Sequence, residues 1–348
     1  PWLPEEVVHS VMRFVPQPPQ AVMVLGDLPA MVWRRGERAA RAHSPHQHTL
    51  AVTFFPAGDR FATSTSDGTV TIWEAATGRR LLHMQRARTA MSNLVVSPGG
   101  DRIAGSNNFG TITVWDAHTG QILASKFYES RWWKSIRIFP DADRYITIRH
   151  WNPPWSRRHT WAIRSLRTGE VLATWLVFDT PRGVFVAPCG TRVVTAGRTH
   201  LRLWNASTGA LVHELRDATR ADVWPVVALT AGAGRVAVAE ASAVGIWSGV
   251  RGNLERRIAS EGFVHRVVFF AEGTRLAIME RHALLIWDLV ARKLMRDLYL
   301  GEPDAVRFTS LAVGGGIVAA CGVDPFGDQR AQIWDADSGR RLQAWRRE

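Results

Sequence analysis

The sequence is poor in cysteine and has no long apolar run. Its two cysteines, Cys189 and Cys321, fall in a predicted turn and a distant predicted strand, so we expect neither a disulfide framework nor a bond between them. This favours a reducing, intracellular compartment. No stretch of 18 apolar residues occurs, so we expect no membrane span. Because the chain begins with Pro1, a removed leader would leave no trace, and cytoplasm, nucleus and an organelle all stay open.

Motifs for catalysis are also missing from the sequence. It has neither a Gly-x-Ser-x-Gly nucleophile elbow nor a Gly-x-x-x-x-Gly-Lys loop for phosphates. The 12 histidines are scattered, and the cluster of His43, His46 and His48 lacks cysteines or a carboxylate at ligand spacing. Acidic pairs such as Asp141 and Asp143 fall in predicted turns, where aspartate bonds to its own backbone. The sequence therefore predicts a non-enzymatic protein without a metal, a cofactor or a small-molecule substrate.

Positive charge is carried almost entirely by arginine. The formal net charge is +12, and among 43 basic residues only Lys126, Lys134 and Lys293 are lysines. A planar guanidinium suits phosphate and carboxylate groups better than the point charge of lysine, so this composition favours RNA or another acidic partner. The alternative is the compositional bias of a GC-rich genome, which the dispersed placement of the arginines also fits.

Residues 48–82 are the most regular part of the chain. Three runs alternate between the two faces of a strand and are rich in β-branched and aromatic residues, as half-buried strands are. These runs are Leu50–Phe54, Phe61–Thr65 and Val70–Ile72. Turn residues separate them, and Thr77-Gly78 leads into a fourth strand. Four strands joined by hairpin turns make one antiparallel meander, which cannot bury both of its faces alone.

This unit recurs through the rest of the chain. Its ending, a tryptophan followed by a tight turn, is found again at intervals of about 40 to 49 residues, which is near the period of four-stranded propeller blades. The tryptophans, which we expect to be structural, are Trp73, Trp115, Trp204, Trp247, Trp287 and Trp334. In the third copy Arg164 stands in place of the tryptophan, and only the turn is kept.

Seven phased copies with matched turns resemble the WD-repeat (WD40) family over residues 46–348. The resemblance implies an all-β, seven-bladed β-propeller, with eight blades if residues 30–42 add strands. It also implies a protein-interaction scaffold that is a subunit of a larger complex. In the first repeat it implies a hydrogen-bonded tetrad of His46, Ser64, Asp67 and Trp73. The last residues, 340–348, are predicted to be the fourth strand of blade 7.

Residues 1–45 do not fit the repeat and are predicted to form a separate N-terminal segment. Apolar residues from Val7 to Val15 recur at helical spacing after Pro4, and a proline-rich stretch ends the pattern. The segment resembles an F-box, the short three-helix module that docks on an adaptor of ubiquitin ligases. The matching positions are Leu3, Pro4, Glu5, Val11 and Trp33. The resemblance implies a substrate receptor; the alternative is a cap on the propeller, or a partial extra blade built on Ala30–Trp33.

The third repeat carries two expanded loops that are rich in tryptophan and arginine, and the seventh repeat has a long loop, residues 322–330, that mixes turn residues with one phenylalanine. In a propeller, the loops that lead into first strands and those that join second to third strands lie on the same face. The two insertions of the third repeat are therefore expected to be neighbours, with the loop of the seventh repeat on the same face. Tryptophan and arginine are enriched in binding hot spots, so we predict a protein-binding surface there. Its residues are Trp132, Trp133, Trp151, Trp155, Arg157, Arg158, Trp161 and Phe326. The alternative is that the extra tryptophans pack together and fill a gap between blades.

One arginine recurs after the first turn of six repeats. These residues are Arg60, Arg102, Arg144, Arg192, Arg235 and Arg275. Propeller symmetry would spread them around the face opposite the tryptophan-rich loops, where they would form a ring that attracts anions. The alternative is that a basic residue at this position serves solubility. Binding of RNA by the ring would weaken steeply with added salt.

Overall fold

The computed structural model describes residues 12–15, 20–23, 31–34, 40–41, 49–84, 86–87, 89–107, 111–127, 133–150, 159–177, 182–197, 200–216, 226–240, 243–280, 283–299, 307–314, 316–323 and 329–346. The statements that follow concern these residues. Within them, no helix is long and apolar enough to cross a membrane.

The described chain forms four-stranded antiparallel sheets, each built from four consecutive strands. The first sheet, here called the N-terminal blade, contains β1 (Met12–Val15), β2 (Gln20–Met23), β3 (Met31–Arg34) and β4 (Ala40–Arg41). The next seven sheets coincide with the seven sequence repeats and are called blades 1 to 7. The all-β propeller predicted from the sequence is therefore confirmed.

Blades 1 to 4 have the following strands. Blade 1 contains β5 (Thr49–Phe54), β6 (Arg60–Thr65), β7 (Val70–Glu74) and β8 (Arg80–His83). Blade 2 contains β9 (Asn93–Val96), β10 (Arg102–Ser106), β11 (Thr111–Asp116) and β12 (Ile122–Phe127). Blade 3 contains β13 (Trp133–Ile138), β14 (Arg144–His150), β15 (His159–Ser165) and β16 (Val171–Val177). Blade 4 contains β17 (Gly183–Val186), β18 (Arg192–Ala196), β19 (His200–Asn205) and β20 (Leu211–Arg216).

Blades 5 to 7 follow the same plan. Blade 5 contains β21 (Val227–Leu229), β22 (Arg235–Ala239), β23 (Ala243–Ser248) and β24 (Leu254–Ala259). Blade 6 contains β25 (Arg266–Phe270), β26 (Arg275–Met279), β27 (Ala283–Asp288) and β28 (Lys293–Tyr299), with a 3₁₀ turn at Ala271–Gly273. Blade 7 contains β29 (Arg307–Gly314), β30 (Ile317–Val323), β31 (Gln329–Asp335) and β32 (Arg341–Arg346).

The first strand of each sheet is the innermost, and neighbouring sheets make contact through these strands. Strand β1 lies beside both β5 and β29, so the N-terminal blade stands between blade 7 and blade 1 and the ring has eight sheets. The last strand, β32, pairs with β31 of its own blade, as predicted for residues 340–348. The ring thus closes by contact between the first and last sheets.

The N-terminal segment differs from the predicted helix. Residues Met12–Val15 are strand β1, paired in register with β2, so the helical assignment is wrong there. A short apolar run fits a strand as well as a helix, and pairing with a neighbour decides between them. Trp33 lies in β3 opposite Ala21, within a sheet and not within a three-helix module. The other F-box-like positions, Leu3, Pro4, Glu5 and Val11, lie outside the described residues.

Apolar side chains from adjacent blades pack against one another and form the core. Between blades 1 and 2, Phe55, Met84, Met91 and Trp115 are buried in one cluster. Similar clusters join the blades that follow. Because full burial of one large apolar side chain contributes about 1.5 to 3 kcal/mol, these contacts are the main source of the ring's stability.

The aspartate that follows the repeat tryptophan organises the turn between third and fourth strands. Oδ1 of Asp116 accepts hydrogen bonds from the backbone N–H groups of His118 (2.8 Å) and Thr119 (2.7 Å). These donors, that of Thr119 first, lower the pKa of the Asp116 carboxyl. Asp288, Asp335 and Asn205 make the same kind of turn. This residue therefore stabilises the turn, and its side-chain oxygen accepts hydrogen bonds from neighbouring backbone N–H groups.

The repeat tryptophans do not use the predicted tetrad. Nε1 of Trp73 donates to Oγ1 of Thr63 at 2.8 Å, while the Oγ of Ser64 donates to the carbonyl oxygen of Met91. Asp67 accepts hydrogen bonds from Thr65 and Thr69 around its own turn. The assignment of Ser64 is therefore wrong by one residue: in a strand, adjacent side chains point to opposite faces. His46 lies outside the described residues.

Thr63 gives one testable prediction. The Trp204 indole bonds to Thr195 in the same way, but in blade 5 this position is Val238, and Nε1 of Trp247 is buried without a partner among the described residues. We expect Thr63→Val to lower the free energy of unfolding by about 1 kcal/mol and Val238→Thr to raise it by a similar amount. Urea denaturation followed by circular dichroism measures both, with Thr63→Ser as the control that keeps the hydroxyl. Equal midpoints for Thr63→Val and the parent protein would contradict the assignment.

Candidate binding surfaces

The propeller has two faces with different loops. One face, here called the loop face, carries the loops that enter first strands and those that join second to third strands. The opposite face, the turn face, carries the tight turns between first and second and between third and fourth strands. On the turn face of blades 1 to 7, a backbone N–H after the third strand donates to the first turn, as from Ala75 to the Asp59 oxygen (2.7 Å). On the turn face, backbone hydrogen bonds thus connect the turns of each of these blades, whereas the longer insertions lie on the loop face.

Both tryptophan-rich insertions of blade 3 emerge on the loop face. Trp133 begins β13 and pairs with Arg149, while His150 pairs with His159 across the mouth of the loop 151–158. The two loops therefore leave the blade at the same end. Apart from the backbone of Trp133, the predicted contact residues of these loops lie outside the described residues. These are Trp132, Trp151, Trp155, Arg157 and Arg158, and the side chain of Trp133.

Trp161 is a correction to the predicted contact set. It lies inside β15, directly opposite Trp175, and none of its surface is exposed. It packs in one cluster with Phe139, Trp175 and Trp204, and the rings of Trp175 and Trp204 stack at a centroid distance of 5.2 Å. For this residue the alternative hypothesis is correct: the tryptophan fills the space between blades. The sequence missed it because β15 begins at His159, earlier than the tryptophan pattern suggested.

Blades 3 and 7 project further toward the loop face than their neighbours. Strands β14, β15 and β16 have seven residues each, and β29 has eight, whereas β9 and β17 have four. Each added residue extends a strand by about 3.3 Å. In the order of eight sheets, blade 7 is four places from blade 3, so the two stand on opposite sides of the central channel. Phe326, in the blade 7 loop 324–328, lies outside the described residues.

The central channel contains a partly apolar cavity of about 500 Å³. First strands of blades 2 to 5 line it, among them Val95, Arg137, Phe185 and Leu229. The cavity is lined mainly by apolar residues, with Arg137 and Asn93 as polar ones. Among the residues that the structure describes here, no two titratable groups are paired for acid–base chemistry.

The recurrent arginines occupy one equivalent position. Each is the first residue of its blade's second strand, on the turn face, from Arg60 in β6 to Arg275 in β26. Five of the six approach carboxylates: Arg60 to Asp59, Arg102 to Asp143 and Asp101, Arg144 to Asp141, Arg235 to Glu255 and Arg275 to Asp337, at 2.6 to 3.5 Å. The sixth, Arg192, donates to a backbone oxygen. The pairing neutralises much of the charge that an anion ring would need.

Several of these arginines bridge to the next blade. Arg102 reaches Asp143 of blade 3, and Arg144 donates to the Gly190 oxygen of blade 4 at 2.8 Å. A second set of bridges, which the sequence did not suggest, starts from fourth strands: His213 contacts the Val250 oxygen and Arg256 donates to the Arg292 oxygen. Exposed ion pairs are worth little singly, but repeated around a ring they define how the blades stand side by side.

The described residues offer no metal site. No group of three or more His, Cys, Asp or Glu side chains comes close enough within them to hold an ion. Cys189 is a free, exposed thiol that contacts Thr191 in its own turn.

Comparisons with known proteins identify the architecture. No protein-family model and no curated protein matches the chain. Among solved structures, the C-terminal WD40 domain of Sif2 superposes with a TM-score of 0.73 at 11% identity, over 92% of this chain and 95% of that one. The β-propeller domain of Myceliophteria thermophila Cps50 (Swd1) gives 0.61 at 15% identity, over 82% and 96%. A chain of a mitotic checkpoint complex gives 0.60 at 14%, over 83% and 89%. At these identities the likeness concerns the fold, and the chain has the fold of a WD40-type β-propeller.

Proposed function

We propose that this protein is a non-enzymatic interaction scaffold and a subunit of a larger protein assembly. The observation that carries the proposal is the extension of blades 3 and 7 above the loop face, on opposite sides of the channel. Propellers of this type generally act as scaffolds, and a similar fold occurs in a mitotic checkpoint complex. A closed ring of sheets presents loops on a rigid base, which lowers the entropic cost of binding.

The proposed contact surface consists of the loops of blade 3 and the long loop of blade 7. Its anchors are Trp132, Trp133, Trp151, Trp155, Arg157, Arg158 and Phe326. Support comes from the shared end at which the two blade 3 loops leave their strands. Aromatic anchors flanked by arginine are typical of binding hot spots. The partner is expected to offer an apolar groove with acidic groups at its rim.

The test is a double variant, Trp151→Ala with Trp155→Ala, in a tagged full-length chain. We expect the co-purifying proteins to be lost. Each truncated tryptophan should weaken the affinity of the protein for its partner at least tenfold, because a hot-spot truncation costs about 2 kcal/mol or more. The urea midpoint should not change.

The matched control is Leu172→Ala. Leu172 lies on the outer strand of the same blade and is 47% exposed, so its truncation should leave the partners bound. Retention of every partner by the double variant would refute this surface.

The alternative functions receive less support. An F-box substrate receptor needs a helical module that folds apart from the propeller, whereas the described part of residues 12–41 is a sheet within the ring. An RNA-binding subunit needs free cations on one face, whereas the recurrent arginines are mostly paired with carboxylates. Protein binding through the loop face remains the function that the architecture favours.

A further inference from the structure

A cavity of about 290 Å³ opens on the turn face between blades 5 and 6. Its walls are Arg235, Ile246, Glu255, Arg256, Leu289 and Arg292. Three arginines and one glutamate thus line the cavity together with Ile246 and Leu289, which gives an excess of two formal positive charges. The volume is several times the roughly 30 Å³ that a water molecule takes in the liquid, so a polyatomic anion fits.

Arg256 is held in place with part of its hydrogen-bonding capacity unused. Its Nη2 donates to the carbonyl oxygen of Arg292 at 3.0 Å, and its guanidinium lies over the ring of Trp287 at 5.1 Å from the centroid. Its Nη1 is buried and has no hydrogen-bond partner among the described residues. A buried charged donor without an acceptor is costly, and an anion seated beside this guanidinium would offset part of that cost.

Arg292 occupies a turn position that is glycine in the other six repeats. Its φ is +56°, in the left-handed region that side chains disfavour. The equivalent residues, all with positive φ, are Gly78, Gly120, Gly169, Gly209, Gly252 and Gly339. This blade therefore accepts backbone strain at an arginine that lines the cavity.

Two equivalent grooves are lined by fewer arginines. Between blades 2 and 3, Arg102 of blade 2 forms an ion pair with Asp143 of blade 3 at 2.6 Å. The residue of blade 2 that is equivalent to Arg256 is Ala124. Between blades 6 and 7, Asp337 holds Arg275 at 2.6 Å, and Arg296, the residue equivalent to Arg256, donates to the backbone oxygen of Asp337. In the turn that contributes to the cavity, the residue equivalent to Asp337 is Val290. Arg235 instead pairs with Glu255 of its own blade and donates to the backbone oxygen of Gly273 in the next blade. Among the described residues, the groove between blades 5 and 6 has three arginines against one carboxylate, whereas each of the other two has two arginines against one.

We propose that the cavity between blades 5 and 6 binds a phosphate group. The planar guanidinium matches phosphate oxygens with paired N–H donors, and Arg256 is already oriented by its bond to the turn and by the indole. A dianionic phosphate balances the two excess charges. The phosphate can be free or carried as a monoester on a small molecule. This site is separate from the loop face and does not depend on the scaffold function.

The experiment is calorimetric titration of the full chain with inorganic phosphate and, separately, with glycerol phosphate, in sodium chloride of matched ionic strength. We expect saturable binding at one site. Arg256→Gln and Arg292→Gly should each weaken it at least tenfold, and Arg167→Ala, in the equivalent groove between blades 2 and 3, should not. Tighter binding of glycerol phosphate would identify a monoester as the ligand, and equal binding would identify the free ion.

Arg292→Gly separates loss of the site from loss of the fold. It relieves the strained φ, so its melting temperature without ligand should be equal to or higher than that of the parent chain, while phosphate binding falls. Absence of phosphate binding to the parent chain, or unchanged binding by both variants, would overturn the proposal. Retention of phosphate binding in the Trp151/Trp155 double variant is expected, since the two surfaces lie on opposite faces.

Discussion

Replacement of Trp161 by alanine is expected to lower the free energy of unfolding by about 3 to 5 kcal/mol. The indole is fully buried between blades 3 and 4, opposite Trp175, in the cluster that also contains Phe139 and Trp204. Truncation removes most of its buried surface and leaves a cavity whose walls are strands held in register by backbone hydrogen bonds. Such walls relax little, so the loss falls in the upper range for core truncations.

The measurement is the midpoint of urea unfolding, followed by far-ultraviolet circular dichroism. Trp161→Phe should lose less, about 1 to 2 kcal/mol, because Nε1 of Trp161 has no hydrogen-bond partner among the described residues and only part of the ring is removed. Leu176→Ala, in the next strand at a side chain that is 53% exposed, should change the midpoint by less than about 0.5 kcal/mol. If Trp161→Ala unfolded at the parent midpoint but lost its partners, Trp161 would belong to the contact surface after all.

Gly249→Ala is expected to destabilise the protein by about 3 kcal/mol. A β-carbon on Gly249 would clash with the carbonyl oxygen of Ala233, a backbone atom that cannot move aside without breaking its turn. The same residue donates its N–H to the oxygen of Gly234 at 2.8 Å, and the clash would force this bond open. Overpacking and loss of a turn-to-turn hydrogen bond therefore act together.

The repeat pattern alone predicts the opposite result. At the position of Gly249 the other six repeats have alanine or leucine: Ala75, Ala117, Leu166, Ala206, Leu289 and Ala336. A substitution toward the consensus would be expected to stabilise. Gly232→Ala is the matched control, because a β-carbon there meets no atom within 4 Å and the change should be neutral or slightly stabilising. Thermal unfolding of the two variants distinguishes the prediction from the structure from the prediction of the repeat pattern. A melting temperature of Gly249→Ala at or above that of the parent protein would contradict the close contact.

Local features of the sequence predicted the blades well. The turn residues and alternating runs of residues 48–82 placed the four strands of blade 1, and the phased tryptophans carried the pattern to blade 7. These signals succeed because a hairpin turn and a half-buried strand are determined by neighbouring residues. The N-terminal blade was not predicted in full, because Met12–Val15 is too short to distinguish a strand from a helix without its partner strand.

The sequence by itself determined that this chain is a ring of four-stranded sheets, since repeated units that cannot bury both faces alone must stack on one another. Only the tertiary structure decided what individual side chains do. It placed Trp161 in the core, paired Arg102 with Asp143 of the next blade, and brought Arg235, Arg256 and Arg292 around one cavity. The physical reason is that these contacts join residues from different strands or different blades. Their distances depend on how neighbouring sheets pack, which the local pattern of residues does not contain.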